Sequence, residues 1–284
     1  MSRSSTLYVC SACGGRSLKW QGSCPGCGEW NVLEPVPASR MPQRRSVASE
    51  PLALPAGTAD LRRLSSGLAE LDRVLGGGVV PGSVTLLGGD PGIGKSTLLL
   101  QVAAQAAGGA PVLYASGEES AAQVAMRAQR LGLTAASLEI LAETELAAVL
   151  ERAAERGVAL LIVDSIQTVQ SERLDAAAGA VSQLKECAAE LVRFAKRRAT
   201  AVFLIGHVTK DGSIAGPRVL EHLVDTVLYF ESETSSRYRI VRATKNRFGA
   251  VNELGFFVMT EAGLREVRNP SAIFLARAPE PAAG

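Results

Sequence analysis

Aromatic residues make up only 5% of this 284-residue chain, the formal net charge is only +2, and there are just five cysteines. A charge so close to zero gives no ground for or against nucleic acid or a membrane surface as a partner. Long apolar runs are missing too: the longest, at 159–163 and 201–206, fall far short of the ~18 residues expected of a membrane helix. The N-terminus has no apolar core of the signal-peptide kind, so the expected location is cytoplasmic. What the chain does have is 47% hydrophobic and 20% charged residues, a balance that excludes disorder throughout and supports a substantial core. The small net charge is unevenly spread. Residues 1–63 hold 8 Lys/Arg and 4 Asp/Glu, and the remainder holds 22 and 24, so a modestly basic front end precedes a near-neutral body.

Four of the five cysteines form two tight pairs, Cys10-x₂-Cys13 and Cys24-x₂-Cys27, ten residues apart. In a reducing compartment this spacing points to two knuckles closing a tetrahedral Zn²⁺ site rather than to disulfides. A segment this short has little core of its own, so the metal is expected to supply its folding free energy. The site is fully ligated, with no open position for catalysis. Trp20 and Trp30 either stack bases or pack over the zinc core. Cys187 stands apart at helical spacing from Leu184 and Leu191 and reads as core.

From residue 34 to 63 the chain carries Pro35, Pro37, Pro42, Pro51 and Pro55, which exclude a regular helix or central strand there. The expected organisation is a zinc module at 1–30, a linker at 31–63, a main domain at 64–270 and a tail at 271–284. In the main domain, apolar or largely apolar runs at 84–87, 112–115, 138–141, 160–163 and 202–205 read as strands buried on both faces. Helical stretches at 96–106, 120–131, 145–156 and 181–197 alternate with them, which predicts an α/β fold with a mostly parallel sheet. Strand patterns alone follow, at 227–231, 237–244 and 254–259, expected to extend one sheet edge through antiparallel pairs.

Gly89, Asp90, Pro91, Gly92, Ile93, Gly94, Lys95, Ser96 and Thr97 follow an apolar strand and open an apolar helix, the context of a P-loop. Its backbone N–H groups turn toward phosphates, Lys95 adds charge at the β/γ-phosphates of ATP, and Ser96 offers a hydroxyl to Mg²⁺. Asp164 ends the apolar run at 160–163 and is the candidate metal-side acid. Glu118 and Glu119 follow the next strand. Because successive side chains of an extended segment point to opposite sides, only one should face the nucleotide; Glu118 is the candidate to activate water. A plain helix-N-terminal role fits Glu119 and stays open for Glu118.

Further motifs join these: Ser-Gly-Glu-Glu-Ser at 116–120, Asp-Ser-Ile-Gln-Thr at 164–168, Gly-His-Val-Thr-Lys at 206–210, Ala-Gly-Pro-Arg-Val-Leu-Glu-His at 215–222 and Lys-Asn-Arg-Phe-Gly at 245–249. With the P-loop and the four-cysteine front end, they resemble the bacterial RadA (Sms) family along nearly the whole chain. The resemblance implies a RecA-like ATPase core that binds single-stranded DNA, drives branch migration of recombination intermediates, works beside the recombinase RecA and assembles as a hexameric ring. It also implies that Lys245 and Arg247 reach the nucleotide of a neighbouring subunit. Their spacing alone fits equally a finger pair and a solvated basic strand edge.

That family continues into a domain resembling the Lon protease fold, whereas this sequence ends at 278–284 in what reads as the start of an interdomain linker. It also has Ala178-Gly179-Ala180 where the family usually shows Pro-Gly-Ser. Lys210 and Arg218 bound a Gly- and Pro-containing loop suited to DNA phosphates, with a solvated loop as the alternative. His207, ending an apolar run, is either a γ-phosphate sensor or a hydrogen-bonded core residue. Two functions follow: an ATP-driven DNA motor, or a nucleotide-gated zinc adaptor that recruits a recombinase or helicase without motor activity.

Overall fold

The computed structural model describes residues 7–17, 19–36, 62–207, 217–232 and 237–267. Two compact units make up the chain, Met1–Asp60 with Glu172–Ala177, and Leu61–Ser171 with Ala178–Gly284.

In the first unit, β1 (Leu7–Cys10) pairs antiparallel with β2 (Arg16–Ser17) and with β3 (Leu33–Val36). The zinc module therefore runs past residue 30: Leu33–Val36 is its third strand rather than linker, and Leu33 is one of its few buried apolar residues. Pro35 fits because β3 is an edge strand, where a missing N–H leaves no ladder bond unmade. The rest of the expected linker up to residue 61, and the tail at 271–284, lie outside the described residues.

The second unit is built on a nine-stranded sheet. Its strands are β4 (Val84–Gly89), β5 (Val112–Ser116), β6 (Leu138–Ala142), β7 (Leu160–Asp164), β8 (Ala201–His207), β9 (Thr226–Glu231), β10 (Tyr238–Asn246), β11 (Leu254–Thr260) and β12 (Gly263–Glu266). Their order across the sheet is β12-β11-β10-β9-β4-β8-β7-β5-β6. The helices are α1 (Ala69–Val74), α2 (Lys95–Ala106), α3 (Ala121–Arg130), α4 (Leu146–Arg156), α5 (Val181–Arg198) and α6 (Pro217–Glu221). Period-two alternation divides each central strand between two cores. Leu160 and Ile162 of β7 pack with α1, α2 and α3, while Leu161 and Val163 pack with α4, α5 and α6.

Two sequence expectations about strands need correction. β9 pairs parallel with β4, so the antiparallel extension begins only at β10; the short α6 makes the crossover from β8 that a parallel neighbour requires. The run at 138–141 forms β6, which is only half-buried because it is the outermost strand, pairing with β5 alone. Its Glu139 is tied to Arg152 and Arg156 of α4, which places charge along that edge. At the opposite edge, the Gln101 side-chain amide of α2 bonds both the N–H and the C=O of Leu264 in β12.

Cys187 is fully buried among the α5 residues that face the sheet, and burial pushes its thiol up to about 12, as expected of a core residue.

Candidate nucleotide and metal sites

The carboxyl ends of β4, β5, β7 and β8 lie side by side, the position at which open α/β sheets place their ligands. The loop after β4 turns through Gly92 and Gly94, at φ of +76° and +113°, and delivers Lys95 as the first residue of α2. Lys95 is only 3% exposed; its Nζ donates to the carbonyls of Gly89 at 2.7 Å and Asp90 at 2.8 Å. Burial draws its ammonium down to about 8, opposed by the charges of Asp164, Glu118 and Asp90.

Asp164 ends β7 and is buried. Its Oδ2 accepts from the Tyr114 hydroxyl at 2.6 Å, and its Oδ1, also buried, has no partner among the described residues. Burial and the neighbouring Asp164 charge hold the Tyr114 phenol well above its ordinary range, so this hydroxyl is a fixed donor to Asp164. An orphaned carboxylate oxygen within the field of Lys95, near the Ser96 hydroxyl, fits a divalent cation: Asp164 and Ser96 would hold Mg²⁺, which would neutralise phosphate charge.

Glu118 and Glu119 part company after β5. Glu118 Oε1 accepts from Ser165 Oγ at 2.5 Å and lies 2.8 Å from His207 Nε2. The His207 contact, then the Ser165 hydroxyl, lowers the Glu118 carboxyl to about 2 against the effect of its partial burial. Glu119 turns to an ion pair with Arg127 of α3, where the helix is capped by the reciprocal Ser120 and Gln123 pair. What brings Glu118 close is Gly117, whose N–H donates to Asp164 O at 2.8 Å; a Cβ there would meet Thr168 Oγ1 at 2.2 Å.

Lys245 and Arg247 stand elsewhere. β10 runs antiparallel to β9 and so descends to the amino ends of the parallel strands, away from the P-loop. Lys245 Nζ donates to the carbonyls of Glu221 at 2.6 Å and Val224 at 2.7 Å, and Arg247 pairs with Asp225 at 3.1 Å. Asp225 in turn bonds Val84, the first residue of β4. The five steps from Val84 to Gly89, at roughly 3.3 Å each, put about 17 Å between Arg247 and the start of the P-loop. Lys210 and the Arg218 side chain lie outside the described residues.

Sequence assigned no individual role to Gly117, Ser165 or Thr168, which entered only as members of the motifs at 116–120 and 164–168, nor to Tyr114 or Arg239. Arg239, at the upper end of β10, donates through Nε to Ile93 O of the P-loop at 3.0 Å. Only the antiparallel return of β10 brings it there, and no local motif encodes that. Tyr114 did carry a signal: a lone hydroxyl inside an apolar run that becomes fully buried needs a partner.

In the first unit the four sulfurs of Cys10, Cys13, Cys24 and Cys27 lie within 4.8 Å of one another. The Cys10–Cys27 and Cys13–Cys24 separations are 3.7 Å and 3.6 Å. A tetrahedron with Zn–S bonds of about 2.3 Å has edges of roughly 3.8 Å, so the thiols fit zinc closely. N–H groups of Gly26 and Cys27 lower the Cys24 thiol to about 6, whereas the neighbouring sulfurs and burial raise Cys13 to about 12 and burial raises Cys27, so the four close thiols do not ionise alike. Trp20 and Trp30 are 57% and 72% exposed, so neither indole is buried in the metal core. They are the chain's only tryptophans, so their fluorescence anisotropy reports on this module alone. Chelation should remove one zinc per chain and lower that anisotropy toward the value of an unfolded segment, with the helix signal unchanged; metal-free protein with unaltered anisotropy would contradict a folding role for the metal.

Comparison with known proteins agrees with this architecture. The model of a family described as AAA domain matches residues 48–213, and one described as rubredoxin metal binding domain matches residues 8–35. The DNA repair protein RadA of Pseudomonas aeruginosa is 50% identical over 100% of this chain and 64% of its own length. Those of Bacillus subtilis and Escherichia coli are 50% and 48% identical, over 97% and 98% of this chain and 62% and 63% of theirs. The chain thus spans a little under two thirds of these relatives. Among solved structures, a KaiC-like protein of Pyrococcus horikoshii superposes with a TM-score of 0.59 over 73% of this chain and 99% of its own, at 20% identity. The RadB recombinase does so with a TM-score of 0.55 over 72% of this chain and all of its own, at 22% identity; both likenesses concern the fold alone. With a RecA-like P-loop core behind a four-cysteine zinc ribbon, the chain belongs to the AAA-domain family and is similar along nearly its whole length to the DNA repair proteins RadA.

Proposed function

We propose that the chain is an ATP-hydrolysing motor of recombination and repair, cytoplasmic, acting on single-stranded and branched DNA as a ring of identical subunits, a hexamer, with active sites shared between neighbours. The observation that carries this reading is the split of the catalytic set. Lys95, Asp164 and Glu118 converge at the carboxyl end of the sheet, while Lys245 and Arg247 lie about 17 Å away at its other end, beyond the reach of an arginine side chain. Acting as fingers, a pair so placed would meet a neighbouring subunit's phosphates rather than those of its own P-loop.

In this reading the P-loop N–H groups and Lys95 bind and orient the triphosphate, and Asp164 and Ser96 hold the cation. Glu118 orients the attacking water and accepts its proton, and the Ser165 and His207 contacts keep its carboxylate ionised and aimed. Arg247 and Lys245 of the adjoining copy meet charge that develops on the transferred phosphoryl group. Lys210 and Arg218 contact DNA phosphates, and the zinc module engages DNA or a recombinase of the RecA kind.

The test is ATP turnover with and without single-stranded DNA. Wild-type turnover rises with DNA, and Glu118→Gln binds ATP but turns it over roughly 10²–10⁴-fold more slowly. Turnover that ignores DNA would favour the adaptor over the motor. A slow Glu119→Gln beside a normal Glu118→Gln would reverse the two assignments.

A further inference from the structure

The segment that carries Lys245 and Arg247 is held by a set of contacts that the chemistry above does not use. Asp225 bonds Arg247 twice: its carbonyl accepts the Arg247 N–H at 3.2 Å, and its Oδ1 pairs with the guanidinium at 3.1 Å. The Asp225 carboxylate is 3% exposed and is itself fixed, with Oδ2 accepting from Val84 N–H at 3.0 Å and Lys196 Nζ at 2.8 Å. One buried carboxylate thus joins Arg247 to the central strand and to α5.

A second clamp closes on the turn just beyond. Arg63 donates to Phe248 O at 2.8 Å, while its other terminal nitrogen bonds Leu75 O at 3.3 Å and Gly78 O at 3.4 Å. Beneath it the backbones of Gly76 and Gly249 touch, so a Cβ on either would meet the other's Cα at 2.9 Å or 2.8 Å. Asn246 completes the turn, accepting from Phe248 N–H at 2.9 Å and donating to Val74 O at 3.3 Å. A half-exposed guanidinium aimed at another molecule loses its orientation unless its base is fixed, and small misplacement of a charge facing a transition state lowers rate steeply.

We propose that Asp225 is a positioning residue of the finger, with Arg63 holding the turn that follows it. This inference rests on the shared-site reading above. Asp225 acts through Arg247 and touches no substrate; its contribution is to turnover in the adjoining subunit, not to its own P-loop.

The experiment crosses variants of the full chain, under conditions where mass measurement shows the wild type assembled with ATP and single-stranded DNA. Asp225→Asn keeps an oxygen for Val84 N–H while removing the charge that holds Arg247. Alone, it lowers kcat at least about tenfold with KM for ATP unchanged. Mixed with Lys95→Ala, whose finger is intact, it regains activity, because its own P-loop receives a sound finger. Mixed with Arg247→Ala it regains none, since no chain then supplies a well-placed finger. The reverse pattern, rescue by Arg247→Ala and not by Lys95→Ala, would mean that Asp225 supports its own P-loop through β4 and would overturn the proposal, as would a wild-type kcat. Should Asp225→Asn not fold, Arg63→Ala runs through the same crosses with the same expected pattern. A control mixture of Lys95→Ala with Arg247→Ala separates the two levels: if it stays inactive, the shared site itself is wrong and the proposal falls with it. If it is active, the Asp225 crosses decide alone.

Discussion

Lys95→Ala is expected to reduce ATP turnover by roughly 10³-fold or more while leaving the fold intact, because it removes the fixed side-chain charge that the P-loop itself turns toward the transferred phosphoryl group. The structure makes the second half of that expectation specific. With its ammonium drawn down from 10.5 to about 8, a charged Lys95 works against folding at neutral pH by about 3 kcal/mol. Against that, the substitution leaves the Gly89 and Asp90 carbonyls without a donor, a loss on the order of 1–3 kcal/mol. The two effects nearly cancel, so the nucleotide-free variant should unfold within about 2 kcal/mol of wild type.

The pH dependence gives a sharper check. Between pH 8 and 10.5 the unfolded chain still holds the Lys95 proton that the folded chain has lost, so wild-type stability should rise with pH relative to the variant across that window. A wild-type-minus-variant stability curve that stays flat there, or a well-folded variant with near-normal turnover, would remove Lys95 from the role given to it.

Arg247→Ala should be nearly as damaging by a different route. ATP affinity, set mainly by the P-loop, stays close to wild type, whereas turnover with DNA falls by roughly 10³-fold, at the lower end of what arginine fingers contribute. Neither parent of a mixture with Lys95→Ala is active, yet each supplies what the other lacks. In a mixed assembly some P-loops from the Arg247→Ala chain face fingers from the Lys95→Ala chain, so part of the activity returns. An assembled mixture no more active than its parents, or a wild type that turns over ATP fully as a monomer, would show that the finger does not act between subunits.

The P-loop was legible because its chemistry is local: glycines, lysine and serine act within nine consecutive residues between a strand and a helix. The central strands were legible because burial on both faces forces uninterrupted apolar runs, as in β5 and β7. The run at 138–141 looked like a central strand, yet Glu139 interrupts it, and that charge belongs to the edge it forms. The direction of β9 could not be read either. Parallel and antiparallel partners impose the same alternation, and only the five-residue α6, too short to stand out as a periodic helix, reveals the crossover. Tyr114, Ser165, Arg239 and Asp225 escaped because each acts through a partner distant in sequence. The zinc module was bounded too early because the proline-bearing run at 33–36 gave no strand signal, and its place depends on pairing with β1.

The central position of β4 has a consequence for biosynthesis. Its two neighbours, β8 and β9, come from residues 201–207 and 226–231, more than a hundred residues downstream. Until those residues have left the ribosome, the strand leading into the P-loop has no partner on either side, and Lys95 has no assembled sheet beneath it. Closing so long a loop is entropically slow, which places completion of the nucleotide cradle late in folding. A nascent chain stalled before residue 201 should therefore capture no ATP, and capture should begin only after residue 231 has emerged.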